Sequence, residues 1–195
     1  MTPDELFYEL HQGLARQAPG SDATTRLLAT LAGPLPVVPR TLDVGCGPGR
    51  SSLVLAESLG AQITAIDDHQ PFLDDLAARA VETGLSGLIR TQLAAMEALP
   101  FEDGAFDLIW AEGSAYVMGF DAALASWRRL LAPGGALVLT ECEWITLTPS
   151  AATRGFWDVA YPAMRSTAAN VDAAMAASWK VAATYVLPDA RNRPY

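Results

Sequence analysis

The fold of this 195-residue sequence is decided by Leu42-Asp43-Val44-Gly45-Cys46-Gly47-Pro48-Gly49. An aliphatic run passes directly into a turn in which every second residue is glycine. Glycine permits backbone angles that other residues avoid, and it lets a ligand lie against the main chain at the start of a helix. The stretch therefore predicts a strand, a ligand-binding turn and a helix. A dinucleotide fingerprint would need glycine at position 50, where the chain has Arg50, so a nicotinamide cofactor is disfavoured.

The segment from Arg40 to Cys142 alternates short aliphatic runs with longer segments of helical period. This alternation is typical of a parallel sheet with helices on both faces, and it predicts an α/β, three-layer, doubly wound fold. The expected strands are Thr41 to Val44, Gln62 to Ile66, Gly87 to Gln92, Phe106 to Trp110 and Ala136 to Thr140. Helices are expected from Pro71 to about Thr83, and from Asp121 as N-cap to the stop signal Pro133-Gly134-Gly135.

The segments on either side of this core lack its regular alternation of strands and helices. Helices are expected near Pro3 to Arg16, from Asp22 to Ala32 with Ser21 as N-cap, and from Val171 to Trp179, followed by a strand from Val181 to Leu187. We therefore expect one domain with three parts, namely an N-terminal helical cap at 1–39, a cofactor-binding core at 40–142, and a substrate-side cover with the C-terminal strand at 143–195.

Composition limits the partners of the protein. The chain has 22 acidic and 13 basic side chains, and a net charge of −9 opposes binding to the phosphates of a nucleic acid. The two cysteines, Cys46 and Cys142, are too few for a disulfide framework, and no Cys or His pair has the spacing of metal ligands. The stretch Met1-Thr2-Pro3-Asp4-Glu5 lacks the basic start and apolar run that are typical of a signal peptide, and no apolar run reaches the ~20 residues of a membrane span. We expect a cytoplasmic protein that binds a small molecule, with neither a metal nor a membrane partner.

The segment from Leu42 to Glu141 resembles the class I S-adenosylmethionine-dependent methyltransferase family of small-molecule type. The glycine turn is similar to that family's E/D-x-G-x-G-x-G loop, and Asp67, about 20 residues later, is similar to its ribose-binding acid. Similarity to the family continues through Leu99-Pro100-Phe101, Phe106 to Ile109, and Trp127 to Leu137. Three further segments resemble an uncharacterised bacterial subgroup of the family, namely Arg16 to Ser21, Trp110 to Tyr116 and Glu141 to Trp144.

The resemblance implies a Rossmann-like sheet with strand order 3-2-1-4-5 and S-adenosyl-L-methionine as cofactor, with S-adenosyl-L-homocysteine as product. It implies that the methionine part lies at the glycine turn, the ribose on Asp67, and the adenine between Asp68 and the loop at Ala95 and Met96. Asp67 is preferred to Asp68 for the ribose, although a turn or N-cap role is the alternative. The expected cofactor-binding residues are Asp43, Gly45, Cys46, Gly47, Gly49, Asp67, Asp68, Ala95, Met96 and Glu112.

One cofactor contact departs from the family pattern. Many relatives carry Asp or Asn where this chain has Ala95. The adenine amino group would then need Glu97, a backbone carbonyl or water as its acceptor.

The sequence does not single out a catalytic residue. Methyl transfer can rely on alignment and exclusion of water, so a base is needed only if the acceptor must lose a proton. Candidates for a catalytic role are Glu112, Glu143, Tyr116 and His11, of which His11 is better explained as an exposed helix residue. Aromatic residues that could surround the methyl donor or an apolar acceptor are Tyr8, Tyr116, Trp144 and Trp157.

Three other functions remain open at this point. They are a noncatalytic S-adenosylmethionine-binding protein, a nicotinamide-dependent oxidoreductase on a similar sheet, and an aminopropyltransferase that would use the carboxylates of Glu112, Glu141 and Glu143.

The end of the chain generates a further expectation. The family's sheet normally finishes with an antiparallel strand inserted beside the fifth one, but only Pro188 to Tyr195 follow the last expected strand. This segment is short and polar, and its two prolines remove ladder donors, so we expect that antiparallel strand to be missing. A C-terminally shortened form of a longer protein is the favoured explanation. A homodimer, in which a second copy fills the gap, is the alternative.

Overall fold

The computed structural model describes residues 3–11 and 13–188. The polar segment 189–195, on which the expectation of a missing last strand partly depends, lies outside the described residues. The helices are α1 (Pro3–His11), α2 (Asp22–Leu31), α3 (Arg50–Leu59), α4 (Gln70–Glu82), α5 (Phe120–Trp127), α6 (Ala151–Ala160) and α7 (Thr167–Ala176). The strands are β1 (Arg40–Val44), β2 (Gln62–Asp67), β3 (Ile89–Leu93), β4 (Phe106–Glu112) and β5 (Leu131–Thr140).

The five strands form one parallel sheet in the order β3-β2-β1-β4-β5. This confirms the α/β fold class that the sequence pattern predicts and the strand order that the family resemblance implies. The order reverses between β1 and β4, and a ligand in such a sheet binds at the carboxyl ends of the strands beside that reversal. The turn after β1 and the segment after Glu112, the last residue of β4, therefore meet at one edge of the sheet.

The hydrophobic core lies on both faces of the sheet. One cluster contains Trp110 of β4 and residues of α3 and α4, while the other contains Trp127 of α5 and residues of β1. Both tryptophans are almost completely buried, and the Trp127 indole N–H donates to the Met96 carbonyl at 3.2 Å. The apolar stripe that the sequence predicts on α5 therefore faces the core.

Several local predictions are confirmed at their helix ends. Ser21 caps α2, since its hydroxyl accepts a hydrogen bond from the Thr24 N–H at 3.2 Å. Helix α4 begins with a proline in its first turn, and Gly84 follows its end with a φ of +74°. Such signals are local, and they do not depend on what the helix packs against.

The connection from α5 to β5 differs from the prediction. Helix α5 ends at Trp127, a 3₁₀ turn follows at Arg128–Leu130, and β5 begins at Leu131 rather than at Ala136. The Pro133-Gly134-Gly135 segment belongs to β5, where the register with β4 shifts, and the φ of +81° at Gly134 accommodates that irregularity. The N-cap of α5 is Gly119, and Asp121 lies in its first turn instead.

The C-terminal part also requires corrections. Helix α6 was not predicted, and α7 begins four residues before the predicted Val171, because Ser166 caps it by accepting from the Ala169 N–H. The expected strand from Val181 to Leu187 does not form, although Val181 packs against the small core cluster around Leu124. A β-prone sequence becomes a strand only where a neighbouring strand pairs with it. In the described part of the chain no strand pairs with the outer edge of β5.

None of the helices in residues 3–11 and 13–188 is both long and apolar enough to cross a membrane.

We expect Trp127→Ala to lower the free energy of unfolding by about 3 to 5 kcal/mol, because it leaves a large cavity beneath the sheet. The Met96 carbonyl also loses its donor. Urea unfolding at neutral pH measures the difference. The control is Val159→Ala on α6, where the side chain is 83% exposed, and we expect a change within about 0.5 kcal/mol. A Trp127→Ala variant as stable as this control would contradict the core assignment.

Candidate active site

The glycine turn between β1 and α3 lies at the carboxyl edge of the sheet, beside the reversal of strand order. Gly45 and Gly49 have φ angles of +65° and +79°, which glycine adopts without strain. A Cβ on Gly45 would lie 2.5 Å from the Ser114 Cβ, and one on Gly49 would lie 2.2 Å from a methyl carbon of Leu76. The turn is therefore packed too closely for a side chain at either position.

Asp67, the last residue of β2, is hydrogen-bonded to this turn. Its Oδ2 accepts from the Gly47 N–H at 2.8 Å, and its Oδ1 accepts from the His69 N–H at 3.0 Å. Burial raises the pKa of the Asp67 carboxyl above its ordinary value, while the two backbone hydrogen bonds act in the opposite direction. Asp68 is exposed. Of the two adjacent acids, the structure brings Asp67 to the turn.

Asp43 and Cys46 are buried within the same turn region. The Asp43 carboxylate accepts from the Ser52 hydroxyl at 2.6 Å and so connects β1 to α3. Burial raises the pKa of Asp43 to about 7 despite that hydrogen bond. Burial also raises the pKa of the Cys46 thiol well above its ordinary value. These two side chains belong to the core beneath the turn.

The loop after β3 lies beside the turn. The Met96 side chain would be 3.4 Å from a Cβ on Gly45, and the Met96 carbonyl accepts from α5. Ala95 and Glu97 are exposed. The structure thus brings Met96 next to the turn and leaves the flanking residues at the surface.

Residues 13–21, called the strap below, lie opposite the turn. Residues 15–18 of the strap form one wall of a cavity of about 140 Å³, and residues 45–48 of the turn form another. His11, Glu112, Gly113 and Tyr116 also line this cavity. The strap thus encloses the space beside the glycine turn.

Glu112 anchors the strap through a buried network. Its Oε1 forms an ion pair with Arg16, and its Oε2 accepts from the Thr25 hydroxyl at 3.0 Å and from the Trp110 indole N–H at 3.2 Å. Arg16 also lies 3.4 Å from a carboxylate oxygen of Asp22. Three donors therefore occupy Glu112, which leaves it poorly suited to act as a base.

The strap also approaches β4 closely. A Cβ on Gly20 would lie 2.7 Å from the Glu112 Oε1, and a Cβ on Gly113 would lie 2.3 Å from the Ala18 Cβ. Arg50, at the start of α3, donates from its Nε to Asp22 at 2.9 Å. Sequence reasoning singled out neither Arg16 nor Arg50 for this network, because the contacts join segments that are distant along the chain.

The remaining catalytic candidates have separate environments. Glu143 accepts from the Thr167 hydroxyl at 2.5 Å and from the Asn170 amide at 2.8 Å, and so it binds the first turn of α7. Tyr116 lies in a 3₁₀ turn after β4, lines the cavity, and places its ring 6.2 Å from that of Tyr161. Among the candidates, Tyr116 and His11 line the cavity beside the turn together with the occupied Glu112.

The other aromatic candidates lie elsewhere. Tyr8 stacks on His69 with the ring centroids 3.8 Å apart. Trp144 and Trp157 line a second cavity of about 440 Å³ beside α6. The structure therefore does not bring the four aromatic residues of the sequence analysis together.

A polar cluster at the end of β5 was not assembled by sequence reasoning. It consists of Glu141, Tyr161 and Arg165. Burial raises the pKa of the Glu141 carboxyl, and burial together with the charge of Glu141 raises the pKa of Tyr161 to about 12. In residues 3–11 and 13–188, no group of three or more His, Cys, Asp or Glu is placed to hold a metal ion.

Comparison with known proteins identifies the family to which the core belongs. A family model described as a methyltransferase domain matches residues 42–139, which run from β1 to β5. The 27-O-demethylrifamycin SV methyltransferase of Amycolatopsis mediterranei is 32% identical over 155 residues, covering 76% of this chain and 56% of that protein. The chain spans about half the length of the curated relatives it matches.

Two solved structures extend the comparison. The [4+2]-cyclase SpnF is 30% identical, with a TM-score of 0.63 over 85% of this chain and 61% of that chain. Phosphoethanolamine N-methyltransferase 2 of Haemonchus contortus, solved with S-adenosyl-L-methionine, gives a TM-score of 0.73 over 90% of this chain and 41% of that chain. Its identity of 20% shows a shared fold alone.

We expect Arg16→Ala to lower the free energy of unfolding by about 3 kcal/mol, because it leaves the buried Glu112 carboxylate without its cation. Arg26→Ala is the matched control, since it breaks an exposed ion pair with Glu57, and its expected cost is at most about 1 kcal/mol. Urea unfolding of both variants makes the comparison. Equal effects would mean that the strap network does not stabilise the fold.

Asp43 generates an expectation about pH. Its folded pKa of about 7 lies above the ordinary value of 3.8, so the folded chain holds a proton that the unfolded chain has lost in this window. The contribution of Asp43 to stability therefore falls as pH rises from about 4 to about 7, by up to about 1.4 kcal/mol per pH unit. Asp43→Asn should remove this fall, as measured by urea unfolding across the window. Parallel stability profiles for the two proteins would contradict the assignment.

Proposed function

This chain belongs to the methyltransferase-domain family, and from that premise we propose that it transfers a methyl group from S-adenosyl-L-methionine to a small-molecule acceptor. The other product is S-adenosyl-L-homocysteine. The observation that carries the proposal is the Asp67 carboxylate, which meets the Gly47 N–H at the reversal of strand order. An acid at this place beside a glycine turn suits a nucleoside with free ribose hydroxyls.

The residues around the turn fit such a cofactor. Each Asp67 oxygen accepts one backbone N–H and retains capacity to accept a ribose hydroxyl. In this proposal Gly45, Gly47 and Gly49 let the methionine part lie against the main chain, and Cys46 contributes its backbone. Asp68, Ala95 and Met96 flank the adenine. Glu97 or a backbone carbonyl then accepts from the adenine amino group.

Asp43 and Glu112 act indirectly in this proposal. Asp43 holds the turn against α3 through Ser52, and Glu112 holds the strap through Arg16. The bound cofactor supplies an electrophilic methyl group, so the chain itself has to orient the acceptor and exclude water. The strap and Tyr116, which enclose the cavity, are suited to exclusion of water.

The three-part organisation is part of the proposal. The N-terminal segment 1–39 acts as a cap through the strap, segment 40–142 binds the cofactor, and segment 143–195 covers the acceptor side. The net charge of −9 supports a small-molecule acceptor over a nucleic acid. The free thiols of Cys46 and Cys142 support a reducing, cytoplasmic setting. The unpaired edge of β5 in the described residues supports pairing with a second copy.

A second candidate is a protein that binds the cofactor without transferring its methyl group. SpnF, which is 30% identical and is a [4+2]-cyclase, supports this candidate to the extent that a chain of such similarity can have an activity other than methyl transfer. Release of labelled methyl product separates the two candidates. A nicotinamide enzyme is disfavoured, since position 50 holds an arginine that is paired with Asp22.

We expect S-adenosyl-L-homocysteine to bind with micromolar affinity, and Asp67→Ala to weaken that binding by about 1 to 3 kcal/mol through loss of a charged acceptor. Isothermal titration calorimetry gives both values. Asp75→Ala, at an exposed position of α4, is the control with unchanged affinity, and Asp68→Ala tests the neighbouring acid. If the effect follows Asp68 instead, the ribose assignment is wrong. If the wild-type protein binds neither S-adenosyl-L-methionine nor S-adenosyl-L-homocysteine, the proposed function is wrong.

A further inference from the structure

A cavity of about 440 Å³ lies between α6 and the segment that follows β5. Its apolar lining includes Trp144, Ile145, Trp157 and Met164, and its polar lining includes several threonines. Cavities that bind small molecules typically measure about 300 to 1,000 Å³ and combine apolar and aromatic walls with a few polar groups. This cavity therefore has the size and the lining of a small-molecule site.

Large apolar side chains around the cavity are not used by the hydrophobic core. Within α6, which the structure describes throughout, Trp157 alone is not exposed, and this side chain lines the cavity. Ile145 also lines the cavity, and it is 78% exposed. Apolar side chains that stay accessible around a concave surface are typical of a ligand-binding site. Both side chains are thus available to a bound molecule.

Hydrogen bonds hold the walls of the cavity in place. The Trp144 N–H donates to the Arg165 carbonyl at 2.9 Å. Ser150 caps α6 through its hydroxyl. The Glu143 carboxylate accepts from the Asn170 amide at 2.8 Å, which fastens the same segment to α7. A cavity whose walls are already fixed loses less conformational entropy when a ligand binds.

The cavity lies at the edge of the sheet where the cofactor is proposed to bind. Thr140, the last residue of β5, pairs with Glu112, which lines the cavity beside the glycine turn. The chain reaches the second cavity at Cys142, just after Thr140. Tyr116 lines the first cavity, and its ring lies 6.2 Å from that of Tyr161, the residue after α6. The two cavities are therefore neighbours at the ends of the adjacent strands β4 and β5.

The charges around the cavity favour an uncharged ligand. Glu143 would repel an anion, and both of its carboxylate oxygens already accept hydrogen bonds from α7. Arg154 would repel a cation, because its guanidinium lies 4.9 Å from the centre of the Trp144 ring. It also forms an ion pair with Asp158 at 3.3 Å. Burial and the nearby carboxylates raise the pKa of the Cys142 thiol, which is therefore neutral at pH 7.

We propose that this cavity holds the methyl acceptor, and that the acceptor is an uncharged molecule with a flat aromatic body. This inference rests on the proposed function, in which the neighbouring cavity receives the methyl donor. Trp144 and Trp157 stack on the aromatic body of the acceptor, and the threonines of the lining bind its polar substituents. These residues position the acceptor and take no part in making or breaking bonds.

The test uses probes that share a naphthalene ring and differ in charge, namely 2-naphthol, 2-naphthoate and 2-naphthylmethylammonium. Ligand-observed NMR titration at pH 7 measures the affinity of each probe for the protein saturated with S-adenosyl-L-homocysteine. The neutral 2-naphthol should bind with a dissociation constant of about 0.1 mM, and each charged probe should bind about fivefold more weakly. Trp157→Ala should weaken 2-naphthol binding about tenfold through loss of a stacking face.

The matched control is Val159→Ala, because Val159 is an exposed residue of the same helix that does not line the cavity. Its affinity for 2-naphthol should stay within about twofold of the wild type. If Trp157→Ala does not fold, Trp157→Phe replaces it, with an expected weakening of roughly threefold. Calorimetry with S-adenosyl-L-homocysteine checks each protein separately, so a failure of cofactor binding is distinguished from a failure at this cavity.

Interligand NOEs between the methyl protons of S-adenosyl-L-methionine and the ring protons of 2-naphthol test whether the two bound molecules are neighbours. We expect these NOEs in the wild type. With cofactor binding intact, the assignment is overturned by their absence, by unchanged 2-naphthol affinity in the Trp157 variants, or by tighter binding of either charged probe. A dimer in gel filtration that Trp157→Ala converts to a monomer would also overturn it, because a second copy would then cover the cavity.

Discussion

The hydrogen bond from the Gly47 N–H to the Asp67 carboxylate holds the glycine turn against the end of β2, and the rest of the site is arranged around it. Close packing limits the same turn from two other directions, since Gly45 lies against Ser114 and Gly49 against α4. A larger residue at either glycine would push the turn away from Asp67. The position of the turn therefore depends on Asp67 and on both glycines, and a change at any of these residues would displace it.

The strap depends on that unit through a second set of contacts. Glu112 ends the strand beside β1, and burial of its carboxylate is acceptable because Arg16 and two neutral donors meet it. Arg50 occupies the place of the third glycine in a dinucleotide fingerprint, and its side chain pairs with Asp22 at the start of α2. The departure from the fingerprint thus has a structural use, because it joins the cofactor turn to the N-terminal helices.

Most features of the fold that could be predicted follow from local sequence patterns. The strands of the core, their order, the cap at Ser21 and the limits of α4 follow from periodicity, end signals and the family resemblance. Features that depend on pairing between distant segments were missed. The Pro133-Gly134-Gly135 segment reads as a stop signal, yet β4 pairs beside it and makes it an irregular part of β5. Residues 181–187 read as a strand, yet no neighbouring strand pairs with them among the described residues.

The site residues also divide into those that local sequence signals predict and those that depend on contacts between distant segments. The turn and Asp67 are adjacent to strong sequence signals, whereas Arg16, Tyr161 and Arg165 gain their places through contacts across the fold. Glu112 and Glu141 illustrate the limit, since each stands at the carboxyl end of a strand, and the sequence names Glu112 as a catalytic candidate without showing the donors that surround it. Three donors occupy Glu112, but Glu141 keeps a buried oxygen without a protein partner. A buried carboxylate that meets a cation and two neutral donors from other parts of the chain stabilises the fold, so these long-range partners, rather than the position at a strand end, distinguish Glu112 from Glu141.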